Sequence, residues 1–281
     1  MSELNEHQNL NNELIQNALI NVFDDNSVKV LSFHPKRAVA SGDNYLSDVF
    51  RVLVNYQTQN AVEKNITIIV KYILEIESVV PFIIDYNLFV KEKEIYTNFL
   101  PKLSKMFEEN FAPKCYHIME EPSKIFVMED LKESGFILCD RQKGLDLDHS
   151  LLVVKKLAKW HAGSMILIEQ EPEMVKNFDF GIINKNSTSG SSIPASVIRG
   201  LKNLIEEAEH WSGFEIIVQK LLNIEKDFEK KAINCIDQKS SFKVLNHGDL
   251  WTNNFMIQYD RDSENKPIDV SFVRLYYIEF V

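Results

Sequence analysis

The stretch VLNHGDLWTNNFMIQY, residues 244–259, sets His247, Asp249, Asn253 and Asn254 in a polar loop between two apolar runs. A loop held between strands can aim a carboxylate and a carboxamide, five residues apart, into one cleft. Phosphoryl transfer uses that pair: the carboxylate accepts a hydrogen bond from an attacking hydroxyl, and the amide oxygen ligates Mg²⁺ bridging nucleotide phosphates. Asp249 and Asn254 fit those roles, with Asn254 as the metal ligand, and His247 joins them as the brace of the loop. A metal-dependent hydrolase built on His247 and Asp249 is a competing reading, but it lacks the further clustered ligands such a site needs. Two upstream residues extend the set. Lys71 interrupts the β-branched run ITIIVKYI, and Glu92 stands in phase with Phe89 and Tyr96 on a charged helical stretch. Their plainer readings are an edge lysine snorkelling to solvent and a solvated helix face.

The elements that must position these residues follow from periodicity. In DVFRVLVNY, residues 48–56, Phe50, Val52, Val54 and Tyr56 alternate with more polar neighbours, the period of a half-buried strand. A polar TQNAVEKN separates it from residues 66–73, so the two read as a hairpin. Residues 84–100 carry helical spacing that is expected to end at Pro101. IFVM, residues 125–128, is a further strand, and the polar EDLKESGF after it reads as a connector, giving an expected boundary between units 1–128 and 129–281. SLLVVKKLAKWHAGSMILI then has the three-and-four spacing of a long helix in which His161 is a hydrogen-bonded core residue. Asn184 to Pro194 reads as a loop, helical pattern resumes after Ser196, and FKVLN, FMIQY and IDVSFV are short strands. Trp251 is expected to pack the polar loop against the helices.

Composition bounds the rest. The 281 residues carry 31 Lys and Arg against 41 Asp and Glu, a net charge of −10, which argues against a nucleic-acid partner but allows a local basic pocket. Three scattered cysteines encode neither a zinc knuckle nor a disulfide framework. No basic, apolar leader opens the chain and no run of 18 apolar residues occurs, so a soluble cytoplasmic protein without a membrane span is expected.

HGDLWTNN resembles the catalytic loop of the ecdysteroid kinase-like family, a branch of the choline kinase and aminoglycoside phosphotransferase group. Other segments agree in order. GDNYLSDVFRVLV resembles the family's nucleotide-covering hairpin, IIVKYI its lysine strand, FVKEKEIY its glutamate helix, VMEDL its hinge and LAKWHA its buried helix motif. The resemblance implies an α+β, bilobal protein-kinase-like fold with a small β-rich first lobe, preceded by a helical extension, and a mainly helical second lobe. It implies ATP and Mg²⁺ as cofactors and a small lipophilic alcohol, such as an ecdysteroid, as the phosphorylated partner. Gly42 and Asn44 would cover the nucleotide, Lys71 would hold its phosphates with Glu92 orienting it, and Glu129 and Leu131 would flank the base.

The chain departs from that pattern at one position. Where the family has an Asp that holds the nucleotide's metal, this sequence has Arg274, followed by Leu275 and Tyr276. A cation there should repel magnesium and oppose turnover, which makes a nucleotide-binding pseudokinase the alternative reading. Glu279 is a poor substitute, because an odd offset along a strand turns it to the other face. The apolar tail RLYYIEFV is expected to be exposed, and the second lobe to be truncated relative to the family.

Overall fold

A computed structural model of the chain describes residues 9–38, 46–59, 62–74, 83–84, 86–178, 181, 195–236, 242–260, 266–275 and 278–280. Its first part is a five-stranded antiparallel sheet in the order β1-β2-β3-β5-β4. The strands are β1 (Lys29–Arg37), β2 (Ser47–Gln57), β3 (Glu63–Ile73), β4 (Cys115–Met119) and β5 (Ile125–Glu129). The expected hairpin is β2 with β3, paired from Ser47 opposite Ile73 to Gln57 opposite Glu63. Strand parity then sorts the side chains. Phe50, Val52, Val54, Ile68 and Val70 are buried on one face against Leu14, Ile15, Ala18 and Leu19 of helix α1 (Asn12–Phe23). Val49, Arg51, Ile69 and Lys71, one residue out of phase, fall on the opposite face and line a cavity.

A second helical layer closes that opposite face. Helix α2 (Leu88–Glu94) runs through a π turn (Ile95–Phe99) into α3 (Leu100–Phe107). Pro101 therefore does not end the helix, contrary to expectation. It sits in the first turn of α3, and the wider π turn just before it accommodates a ring that would otherwise clash with the preceding carbonyls. Phe89 and Tyr96 on this helix pack on Phe126 of β5, with ring centroids 5.3 and 6.0 Å apart.

The connector after β5 leads through β6 (Phe136–Ile137) to the long helix α4 (Leu147–Gln170), whose Asp146 cap accepts from the His149 amide. Gly163 allows α3 to lie close, since a Cβ there would collide with Leu103 and Phe107. Helices α5 (Ala195–Ala208), α6 (Glu215–Glu225) and α7 (Phe228–Ile236) follow, and then β7 (Leu245–Asn246), β8 (Phe255–Tyr259) and β9 (Pro267–Phe272). Residues 184–194, read as a loop, lie outside the described residues.

The apolar tail does not stay exposed. Leu275 and Ile278 are fully buried in the main core, and β10 (Glu279–Phe280) pairs antiparallel with β7. The chain leaves strand geometry after Phe272, so the parity argument for Glu279 does not apply, and the Glu279 side chain lies outside the described residues. The fold is α+β, an antiparallel sheet followed by a helical part. Among the described residues no helix is long and apolar enough to cross a membrane.

Candidate functional site

Lys71 on β3 and Glu92 on α2 meet behind the sheet. The Lys71 Nζ lies 2.6 Å from both Glu92 carboxylate oxygens, and both side chains are almost completely buried. Burial pulls the Lys71 pKa down, and Glu92 opposes that pull. The lysine is thus not at a sheet edge: β3 is flanked by β2 and β5, with Lys71 opposite Val49 and Phe126.

The 247–254 loop is held from below. Trp160 of α4 is fully buried and donates its indole N–H to the Leu245 carbonyl at 2.8 Å, while the Leu245 amide donates to Ser164 Oγ at 3.1 Å. These two bonds fasten the strand that opens the loop to the long helix. His247 is buried between Trp160 and Phe272, and burial pushes its pKa down to about 4, so it is a neutral brace at pH 7. Gly248 takes a positive φ of 72°, which turns the chain toward Asp249. The Asn254 side-chain amide then donates to both the carbonyl and the carboxylate of Asp249, at 2.7 and 2.6 Å. Burial raises the Asp249 pKa, against the opposing effects of Asn254 and Arg274. The Asn254 Oδ1 is buried and has no hydrogen-bond partner among the described residues. Trp251 contradicts the packing expected of it, standing 42% exposed at the loop surface.

Arg274 is the second residue after β9. The Val273 amide donates to the Asn254 carbonyl at 2.9 Å, which seats Arg274 beside the loop, and it acts electrostatically on both Lys71 and Asp249. Lys71 and Arg274 line one cavity of about 140 Å³. Val49, Ile69, Met128 and Met256 supply apolar walls, and Glu129 and Leu131 line it as well. Gly42 and Asn44 lie outside the described residues.

Sequence reasoning missed one pair in this cavity. Arg51 forms a two-point ion pair with the buried carboxylate of Asp130, joining β2 to the connector after β5. The visible signal was an arginine set inside the apolar alternation of β2.

The donor set offers a divalent metal little. Asn254 Oδ1 is a buried oxygen with no partner among the described residues, which suits a cation, but Asp249 is engaged by the Asn254 amide and feels the positive charge of Arg274. Among the described residues no cluster of three His, Cys, Asp or Glu could hold a metal ion. The residues do not fit a magnesium centre of two carboxylate ligands.

No curated protein matches the chain. The model of the ecdysteroid kinase-like family matches residues 41–276, which span both the lysine strand and Arg274. With that match over most of its length and an α+β, kinase-like architecture, the chain belongs to the ecdysteroid kinase-like family.

Proposed function

We propose that the chain binds a nucleoside triphosphate in the cavity between sheet and loop, and that its framework serves phosphoryl transfer to the hydroxyl of a small lipophilic molecule, as with an ecdysteroid-like alcohol. The observation that carries this reading is one cavity lined by Lys71, which Glu92 grips, by Asn253 of the loop that also bears Asp249 and Asn254, and by Arg274, which acts electrostatically on Lys71 and Asp249. Lys71, oriented by Glu92, holds phosphate oxygens. A flat base lies between Val49 and Ile69 on the sheet side and Met256 on the loop side, flanked by Glu129 and Leu131. Asp249 accepts the proton of the acceptor hydroxyl, and its raised pKa makes it a stronger base than an exposed aspartate. His247 holds the loop from beneath. Residues 1–128 and 129–281 are then the two lobes on either side of the nucleotide.

Arg274 favours a second reading, a nucleotide-binding protein with impaired turnover. One experiment separates the two. ATP at millimolar concentration should raise the thermal midpoint of the wild type. It should leave a folded Lys71→Met/Glu92→Leu variant unshifted. Incubation with an ecdysteroid should then yield a phosphorylated product by mass spectrometry in wild type and none in Asp249→Ala. Binding without product selects the impaired reading, and no thermal shift in wild type contradicts both.

A further inference from the structure

The cavity lining carries four cations, Arg51, Lys71, Lys132 and Arg274, and two carboxylates, Glu129 and Asp130. Arg51 is matched by Asp130 and Lys71 by Glu92. Arg274 is half-buried, and it makes no hydrogen bond or ion pair with the described residues, while the nearby Asp249 carboxylate is engaged by the Asn254 amide. Its backbone is held on both sides, by the Val273 to Asn254 bond before it and by the fully buried Leu275 after it. A half-buried guanidinium fixed in this way and given no carboxylate partner is an anion site. Its planar fork matches a phosphate at two points. The apolar walls beside it fit a base better than a free inorganic anion.

We propose that Arg274 is the cavity's resident counter-cation: it takes the phosphate oxygens of a nucleoside di- or triphosphate directly, so that nucleotide binding needs no divalent metal. The proposal rests on the nucleotide reading above and adds to it the mode of charge neutralisation. It also accounts for the poor donor set for magnesium, since a dication beside Arg274 would be repelled.

Calorimetric titration of the full chain with ATP, in excess EDTA and again in magnesium, tests this. Comparable affinities in the two buffers are expected. Arg274→Gln should weaken metal-free binding by at least about tenfold, Arg274→Lys should fall between Gln and wild type because it keeps the charge but loses the two-point fork, and Arg274→Asp should make the remaining binding magnesium-dependent. Wild type that binds ATP only with magnesium overturns the proposal without any variant, and so does an Arg274→Gln protein that binds metal-free ATP as wild type does. Inorganic tripolyphosphate binding as tightly as ATP would also overturn it, by removing the nucleoside. Failure of wild type to bind in either buffer instead overturns the nucleotide reading itself.

Discussion

The two sides of the cavity are built to different standards of charge balance. On the sheet side, Lys71 and Glu92 are both almost completely buried and hold each other at 2.6 Å through both carboxylate oxygens. On the loop side Asp249 is half-buried, and among the described residues Asn254 keeps a buried oxygen with no partner and Arg274 makes no ion pair. A buried ion pair costs desolvation and survives only when geometry repays it, so the sheet side is complete without a ligand. The loop side is not. Its residual donor and acceptor capacity is what an incoming ligand would satisfy, and its sign has been changed by a cation at Arg274.

The largest effect should come from splitting the closed pair. Glu92→Ala leaves an ammonium buried without its counter-ion and should cost about 3–5 kcal/mol in urea unfolding, whereas Lys71→Met/Glu92→Leu should stay near wild-type stability. If Glu92→Ala were nearly neutral, the sheet side would not be the desolvated unit described here.

Next in size is the pH response of the loop's brace. Burial pushes the His247 pKa down to about 4 in the folded protein, against about 6.5 for an unburied imidazole. The unfolded chain therefore binds the extra proton between those values. The contribution of neutral His247 is fully present above pH 6.5 and is lost as pH falls toward 4, an amount on the order of 3 kcal/mol. Urea midpoints should fall more steeply across that window for wild type than for His247→Gln. Parallel slopes would mean that the ring is hydrated.

Smaller again is the fastening of the loop to α4. Ser164→Ala leaves the Leu245 amide without its acceptor and should cost about 1–2 kcal/mol. Asp249→Ala should be the mildest, under about 1 kcal/mol, because the Asn254 amide keeps the Asp249 carbonyl as acceptor. A larger loss at Asp249 than at Ser164 would recast the carboxylate as a structural group.

The same contrast governs what could be read in advance. β2, β3, β5 and α4 announce themselves by period, because one face of each is buried and the other is not. Glu92 could be placed opposite Lys71 because it shares a helical phase with Phe89 and Tyr96, which pack on Phe126 beside that lysine. β1 and β4 gave no such signal. β1 carries Pro35 and pairs only with β2, and every residue of β4 is half-buried, so neither alternates cleanly. The tail misled for a physical reason: RLYYIEFV has the composition of an exposed hazard only until β7 gives it a partner strand. Likewise Trp251 obeyed the loop's geometry rather than its own hydrophobicity. Arg274 was legible as a departure, but only the fold brings it beside Lys71 and Asp249 together.

The central claim is that the closed pair and the open loop serve one ligand. A crystal structure of the chain with a non-hydrolysable ATP analogue tests it most directly. The phosphates should lie between Lys71 and Arg274, with the base between Val49 and Met256. Nucleotide bound elsewhere, or a cavity left empty at millimolar analogue, would contradict it.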